Sequence, residues 1–516
     1  MKHSKLYFVF LLVIMSGLKV YGYKNYDIKV KNDEGVTIYY NFINDNKELS
    51  VTFCGDYDSY YGWKFDKVYE GYVKIPNEVE VSSQKLKVTS IGRWAFRNCK
   101  YVSLSLPDNL KKIESLAFDN AIIDALYITD FKVWCNMDCT DVNPFINAEK
   151  VFVNGTEFVL GANITIPDGL DHIGSRAFAN SRILSVKIPN SVSQIGERAF
   201  GDCERLMEVN LGDSIARINN SAFRNCTALE SIVLPETIEY IGLESFYGCN
   251  NLKSINLPSS INDIGDGAFE RCYNLSCPIE IPDSIYIIKE NTFAHCEKIP
   301  SIKFGNSLEK IDKRSFHSCK KLSIIELPTS LKEIGERAFA CCHELSKIEL
   351  PTSLKEIGEG AFVECINISS IDIPRNVSTI ESLAFYGCSK LSSIKLCGSV
   401  KKIGSYAFKE LNYEKIFISC SEDPYDADDE AFDTSGHNTK LLVPLGTKKI
   451  YEVTKGWKKF SIIEESELAS GFNDIKTINE VETYYKLNGA VTKSDTRRGI
   501  VIERYNNGRT RKILKP

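Results

Sequence analysis

The chain is poor in the features that most enzymes and membrane proteins depend on. It has only six histidines in 516 residues, namely His3, His172, His295, His317, His343 and His437, and they stand at no metal-ligand spacing. No His-Glu-x-x-His, Gly-x-Ser-x-Gly or phosphate-cradling glycine-rich loop occurs. The expectation is therefore a protein that is not an enzyme, with no catalytic residues, no metal ligands and no cofactors. A formal net charge of −5 is mild, so nucleic acid and anionic membrane are not implied as partners. Beyond the amino terminus there is no apolar run of the ~20 residues that a transmembrane helix needs. What the chain does have is 43% hydrophobic and 25% charged residues, the balance of a folded, soluble protein.

The amino terminus reads as an address. Lys2, His3 and Lys5 precede an apolar run from Leu6 to Met15, and Val20-Tyr21-Gly22 supplies a cleavage site after Gly22. This is the pattern of a secretory signal peptide over residues 1–22. No cysteine follows the cut, so a lipid anchor is not expected. The mature chain should be secreted or held on the outer cell surface.

The dominant signal is a recurring Ile-Gly-x-x-Ala-Phe-x-x-Cys. Its anchors are Phe96, Phe118, Phe178, Phe200, Phe223, Phe246, Phe269, Phe293, Phe316, Phe339, Phe362, Phe385, Phe408 and Phe432, with steps of 22, 23 or 24 residues from Phe178 onward. That period, with Leu-x-x-Ile-x-Leu in most units, is the signature of a leucine-rich repeat. In Leu229-Glu-Ser-Ile232-Val-Leu234-Pro235 the alternation turns Ile232 and Leu234 inward and Val233 outward, and Pro235 ends the strand. Ile238 and Ile241 return to the core, Gly242 permits a tight turn, and Glu244-Ser245-Phe246 fits a single helical turn. No unit can bury such a stripe alone, so the coils must stack. The reading is a solenoid of α/β-type repeats, mostly β with short helical turns. One face should carry a parallel β ribbon roughly 60 Å long, at about 4.8 Å per strand.

Two further columns follow from the period. Ser191, Ser214, Thr237, Ser260, Ser284, Ser307, Ser330, Ser353 and Ser399 recur where many leucine-rich repeats place an inward Asn. Their hydroxyls are expected to bond neighbouring loop backbone, a structural ladder and not a row of nucleophiles. Seventeen cysteines in an exported chain suggest a disulfide framework, but Cys99, Cys203, Cys226, Cys249, Cys272, Cys296, Cys319, Cys342, Cys365 and Cys388 each fall three residues after an anchor. They should form a buried column of reduced thiols, packing as small hydrophobes with Phe200, Phe223, Phe246, Phe269, Phe339, Phe362 and Phe385. Adjacent coils lie close enough for disulfides, so distance alone does not exclude pairing. His295, His317 and His343 sit on bends of successive coils and are read as solvated side chains, with a zinc site as the sharper alternative.

The repeats, as in Leu345-Ser-Lys-Ile-Glu-Leu-Pro-Thr-Ser-Leu-Lys-Glu-Ile-Gly-Glu-Gly-Ala-Phe-Val-Glu-Cys365, resemble the BspA-like leucine-rich repeat family of surface proteins from Bacteroides-type bacteria. Tyr39-Tyr40-Asn41 with Gly71-Tyr-Val-Lys-Ile-Pro76 is similar to their amino-terminal cap. Trp134-Cys135, Asn143-Pro144 and Val153-Asn154-Gly155 resemble their irregular longer unit, which accounts for the wide gap between Phe118 and Phe178. Val443-Pro444 through Gly456-Trp457-Lys-Lys-Phe460 resembles their closing cap. The resemblance spans roughly residues 25 to 466 and implies adhesion or host-matrix binding without fixing a ligand. The resulting division is residues 1–22 signal peptide, 23–85 amino-terminal β cap, 86–440 solenoid with the irregular unit at 127–165, 441–466 closing cap, and 467–516 a basic β tail.

Two surface patches carry binding hypotheses. Tyr57, Tyr60, Tyr61 and Trp63 crowd one loop of the amino-terminal cap, where they either cap the solenoid or stack on sugar rings. The outward strand column runs Lys187, Asn210, Val233, Asn256, Glu280, Lys303, Glu326, Glu349, Asp372 and Lys395, polar and free of aromatics. Within it Glu326, Glu349 and Asp372 stack like charges, which calls for a cation, a basic partner or relief by Lys347. The expected function is an adhesin-like binding of host-matrix or cell-surface protein; glycan capture and a surface-layer role are the alternatives. The tail has nine Lys or Arg against two acids after Tyr484, and reads as a hairpin turning at Asn506-Asn507-Gly508. With Tyr485-Lys-Leu487-Asn488 it resembles the carboxy-terminal sorting domains of the type IX secretion route, although Gly489-Ala490 replaces their usual Gly-Arg; the alternative is an appendage that stays with the mature protein.

Overall fold

In the computed structural model the chain is a mostly β solenoid of about 16 turns. The structure describes residues 23–58, 62–67, 69–141, 143–158, 163–411, 415–432, 434 and 439–469, together with short strands of the tail. The Phe246 coil shows how sequence becomes backbone. Ser231–Ile232 pairs in parallel with Ser254–Ile255, and Tyr240–Ile241 pairs in parallel with Asp263–Ile264. Each side of a coil is short, so the strands are mostly two to four residues long. Ile232, Leu234, Ile238 and Ile241 are buried, and Val233 is 75% exposed, as the alternation requires.

Instead of one ribbon there are two, because the Ile that returns the chain to the core pairs with its counterpart in the next coil. The first ribbon runs through Ser185–Lys187 and Glu208–Asn210, and the second through Gln194–Ile195 and Arg217–Ile218. Neither is continuous: both stop between the Phe269 and Phe293 coils, after Ile255 and Ile264. That step is 24 residues long and contains Pro278, whose nitrogen carries no proton for the first ribbon's ladder. The first ribbon stops again across Lys347–Leu350, which form no strand; nothing in the structure explains this second interruption.

The segment around each anchor is not helical. Ser245, Tyr247 and Cys249 donate to carbonyls three residues back, while Glu244, Phe246 and Gly248 donate to Asp266, Ala268 and Glu270 of the next coil. Alternating donors thus serve the turn and the stack, satisfying backbone groups that would otherwise be buried unpaired. The geometry needs a left-handed residue on each side of the anchor, Glu244 at φ 51° and Gly248 at φ 70° in this coil. A non-glycine residue there costs about 1–2 kcal/mol, so the ladder must hold it. Gly242 has another role than a tight turn: a Cβ there would lie 2.6 Å from the Asn219 carbonyl carbon, so the residue permits close coil approach.

Anchor rings form the core. From Phe178 to Phe408 consecutive rings stack at 5.2–5.5 Å and within 10° of parallel. Beside them the ten column cysteines are buried and unpaired. Each from Cys203 to Cys388 donates its S–H to the anchor carbonyl of the preceding coil, at 3.0–3.3 Å. Cys397 and Cys420, off the column, form a disulfide. The hydroxyl column is not inward as expected. Thr237 is exposed and Ser260, Ser330 and Ser353 are half-buried, yet their hydroxyls bond the preceding coil, at 2.6–2.7 Å to Ile238, Leu308 and Leu331 for the three serines.

Both ends of the stack are covered. Ile28–Lys31, Thr37–Ile43 and Glu48–Thr52 form an antiparallel meander, whose last strand pairs in parallel with Gln84–Ile91 of the first coil. At the other end Trp457, Tyr451 and Phe460 are buried, and Trp457 lies 4.7 Å from Phe432. In the tail Gly499–Arg504 and Thr510–Lys515 pair as a hairpin; Asn506-Asn507-Gly508 lies outside the described residues. No helix among the described residues is long and apolar enough to cross a membrane.

Candidate binding surface

The outward column occupies the solvent face of the first ribbon. Lys187, Asn210, Val233, Asn256, Glu280, Lys303, Glu326, Glu349 and Asp372 are exposed and Lys395 is half-buried. Strand alternation sets this direction, because the flanking Ile and Leu are held in the core; Glu349 shares it although Lys347–Leu350 form no strand. Asn256 turns back to the scaffold: its amide accepts from the Leu234 nitrogen at 2.8 Å and donates to the Leu234 carbonyl at 2.9 Å. A side chain here extends a ribbon whose strands are only two residues long.

Glu326, Glu349 and Asp372 lie on three successive coils and are bracketed by lysines. Lys303 is in register with Glu326 and Asp372 with Lys395. Lys347 reaches the Glu349 carboxylate at 2.9 Å, both side chains being more than 80% exposed. That hydrogen bond holds the Lys347 ammonium above its ordinary range. Pairs this exposed add little to stability because solvent screens them, so the repulsion is relieved and the acidic oxygens remain open to solvent.

The cap aromatics divide. Tyr60 and Tyr61 lie outside the described residues; Tyr57 and Trp63 are backbone partners on neighbouring strands. Where the cap meets the solenoid, an open polar cleft is lined by Glu48, Thr89, Lys111, Lys132 and Asn136. Lys111 donates to the Glu48 carboxylate at 2.8 Å and the Thr89 hydroxyl donates to it at 2.9 Å, and the lysine bond is the main cause holding the carboxyl below its usual range. The histidines also divide. His295 and His317 meet edge to face at 5.1 Å, and burial pushes the His317 imidazole down to about 4, while His343 stands with Cys341 and Glu364.

The second ribbon, which the sequence reading did not anticipate, exposes aromatics of its own. Tyr286 is 61% and Ile287 45% exposed beside the interruption, and the Arg217 guanidinium lies 4.3 Å over the Tyr240 ring. Their signal was present as apolar residues two and one before the returning Ile288, but such positions read as part of the core run.

A search of curated proteins finds no match. Among solved structures the chain is similar to a leucine-rich repeat protein from Bacteroides ovatus, with 23% identity over 83% of this chain and 98% of that one, at a TM-score of 0.40. A leucine-rich cell surface protein from Faecalibacterium prausnitzii shows 21% identity over 84% and 98%, at 0.41. The pneumococcal vaccine antigen PcpA shows 17% identity over 86% and 99%, at 0.45. The BspA type leucine rich repeat region matches over residues 74–143, 149–276, 277–381 and 355–477. Its repeat is the one whose anchors, thiols and ladders are described above, and the chain belongs to the BspA-type leucine-rich repeat family.

Proposed function

We propose that the chain is an exported surface protein that binds another protein, in the manner of an adhesin, along the outward face of its first ribbon. The observation that carries this reading is the acidic run Glu326, Glu349 and Asp372, exposed on three successive coils, with Glu326 and Asp372 on ribbon strands and Glu349 in the stretch between them that forms no strand. A row of exposed carboxylates complements a basic protein surface. The signal-peptide pattern of residues 1–22 supports export, and the tail from residue 467 supports sorting to the surface. The test is the triple variant Glu326→Gln, Glu349→Gln, Asp372→Asn, in binding to immobilised basic matrix proteins and to intact host cells. We expect an unchanged or slightly raised melting temperature with binding weakened roughly tenfold or more and less sensitive to salt. Unchanged binding to both would reject the face; binding to glycan arrays that survives the triple substitution would favour sugar capture.

A further inference from the structure

We propose that Cys341, His343 and Glu364 form a site for zinc or a similar borderline divalent cation, tying two adjacent coils together on the turn face. No linear spacing announces it, because the repeat itself assembles it. Cys341 and Glu364 each stand two residues after an anchor, Phe339 and Phe362, and so occupy one column. Both are left-handed, at φ 60° and 58°, so their side chains leave the turn in the same way. Their backbones are fixed by donation from Cys341 to the Val363 carbonyl at 2.8 Å and from Glu364 to the Tyr386 carbonyl at 2.7 Å.

The Cys341 thiol lies 3.5 Å from a Glu364 oxygen, and one donor atom from each of the three residues lies within 4.8 Å of the others. It is the one grouping of this kind among the described residues. Zinc bonds of about 2.0–2.3 Å place tetrahedral donors roughly 3.3–3.8 Å apart, within reach of rotamer changes on three partly or fully exposed side chains. Thiolate, imidazole and carboxylate together suit a borderline metal better than magnesium or calcium. Three protein ligands leave one position for water. Binding replaces the thiol proton with the metal: the S–H bond breaks, the sulfur keeps the pair and donates it to the cation, and one proton goes to solvent.

The surroundings permit this. Burial, with Glu364 beside it, pushes the Cys341 thiol up to about 11, so without metal it stays protonated. Lys320, the cation acting on the thiol, has its ammonium engaged by Glu297 at 2.8 Å. In the same column the coils on either side carry Ser318 and Gly387, so the ligand set is confined to one pair of coils.

The test uses untagged full-length chain, reduced, stripped with a chelator and titrated with cobalt(II), then with zinc(II) against a chromogenic chelator. The expected result is one equivalent bound with a thiolate-to-cobalt charge-transfer band, release of one thiol proton, and a zinc-dependent rise in melting temperature. Cys341→Ser should abolish the band yet fold, since Ser318 holds the same left-handed position one coil earlier at φ 60°. His343→Ala and Glu364→Gln should each weaken binding roughly tenfold or more, while Cys277→Ser changes nothing. Absence of the band in the unmodified chain, or a Cys341→Ser variant that binds as the parent does, would overturn the site.

Discussion

Two neighbouring stretches solve the same stacking problem by different means. In the regular coils from Phe178 to Phe408 the backbone does the work: every anchor N–H donates to the next coil at 2.8–2.9 Å. In the irregular unit between Phe118 and Phe178 the strand ladder persists, Ile122–Ile128 pairing in parallel with Ala148–Val153, but at the turn side chains take over. A short helix, Phe131–Cys135, brings Trp134 inward, and its indole N–H donates to the Ala177 carbonyl at 3.0 Å. Asn143 donates to the same carbonyl at 2.6 Å and to Arg176 at 3.0 Å, while its oxygen accepts from Phe145 at 2.9 Å. The rings change accordingly, from parallel stacks to the tilted pair Trp134–Phe145 at 5.1 Å and the edge contact Phe145–Phe178 at 6.3 Å. A backbone ladder tolerates any side chain that fits the turn. A side-chain splice depends on a few named residues.

The largest expected effect is in alkali, and both stretches share it, since burial also pushes the Cys139 thiol of the irregular unit up to about 12 and that of Cys135 well up. Burial pushes Cys203 and Cys388 up to about 12 and Cys226, Cys249, Cys342 and Cys365 well above the ordinary thiol value of 9. The unfolded chain releases these protons from about pH 9, whereas the folded chain keeps them. Stability is therefore full below pH 9 and falls as pH rises toward 12, by about 1.4 kcal/mol per pH unit for each such thiol. Six thiols give about 8 kcal/mol over one unit, comparable to the stability of an ordinary domain, about 5–15 kcal/mol. Under reducing conditions the regular coils should become protease-sensitive in a narrow range above pH 9, and alanine at Cys203, Cys226 and Cys249 should move that range upward.

Next in size is Phe269→Ala, at the step where both ribbons stop. With both strand ladders interrupted there, the turn ladder, the ring stack and a few scattered bonds such as Cys296 to Phe269 and Ser276 to Lys253 cross the step; we expect a loss of about 3–5 kcal/mol and denaturant unfolding that splits into two transitions, and a single transition would show that the interruption is not a weak joint. The smallest effect sharpens the splice. Asn143→Leu leaves buried carbonyls short of donors and should cost about 1–3 kcal/mol, with faster amide exchange confined to the irregular unit and the Phe178 coil.

What the sequence made legible follows from period and polarity. A repeating anchor says which residues are inside, so Phe246, Cys249, Ile232 and Leu234 are buried as read. Backbone conformation is a different matter. Before some anchors the left-handed residue is Gly267, Asn291 or Gly360, but before others it is Arg198, Ser221, Glu244 or Arg337, types that carry no turn signal and are held there by the stack. After the anchors the signal existed, in Asn180, Asp202, Asn225 and Gly248, residue types that tolerate this region, and was hidden by neighbours such as Cys341 and Glu364. The second ribbon was hidden because two-residue strands are too short for alternation to register. The acidic column was readable because outward positions follow directly from the pleat, but the Cys341, His343 and Glu364 grouping needs the coil-to-coil register, which no single repeat contains.

Amide hydrogen exchange on the intact chain tests the turn ladder most directly. If it is the continuous element of the stack, the amides of Phe246, Phe269 and Phe293, and of the left-handed Glu244, Asn291 and Arg314, will exchange as slowly as those of the ribbon residues Ile232 and Ile241, including across the step where the ribbons stop. Rapid exchange at these turn amides, with protection confined to the ribbons, would contradict it.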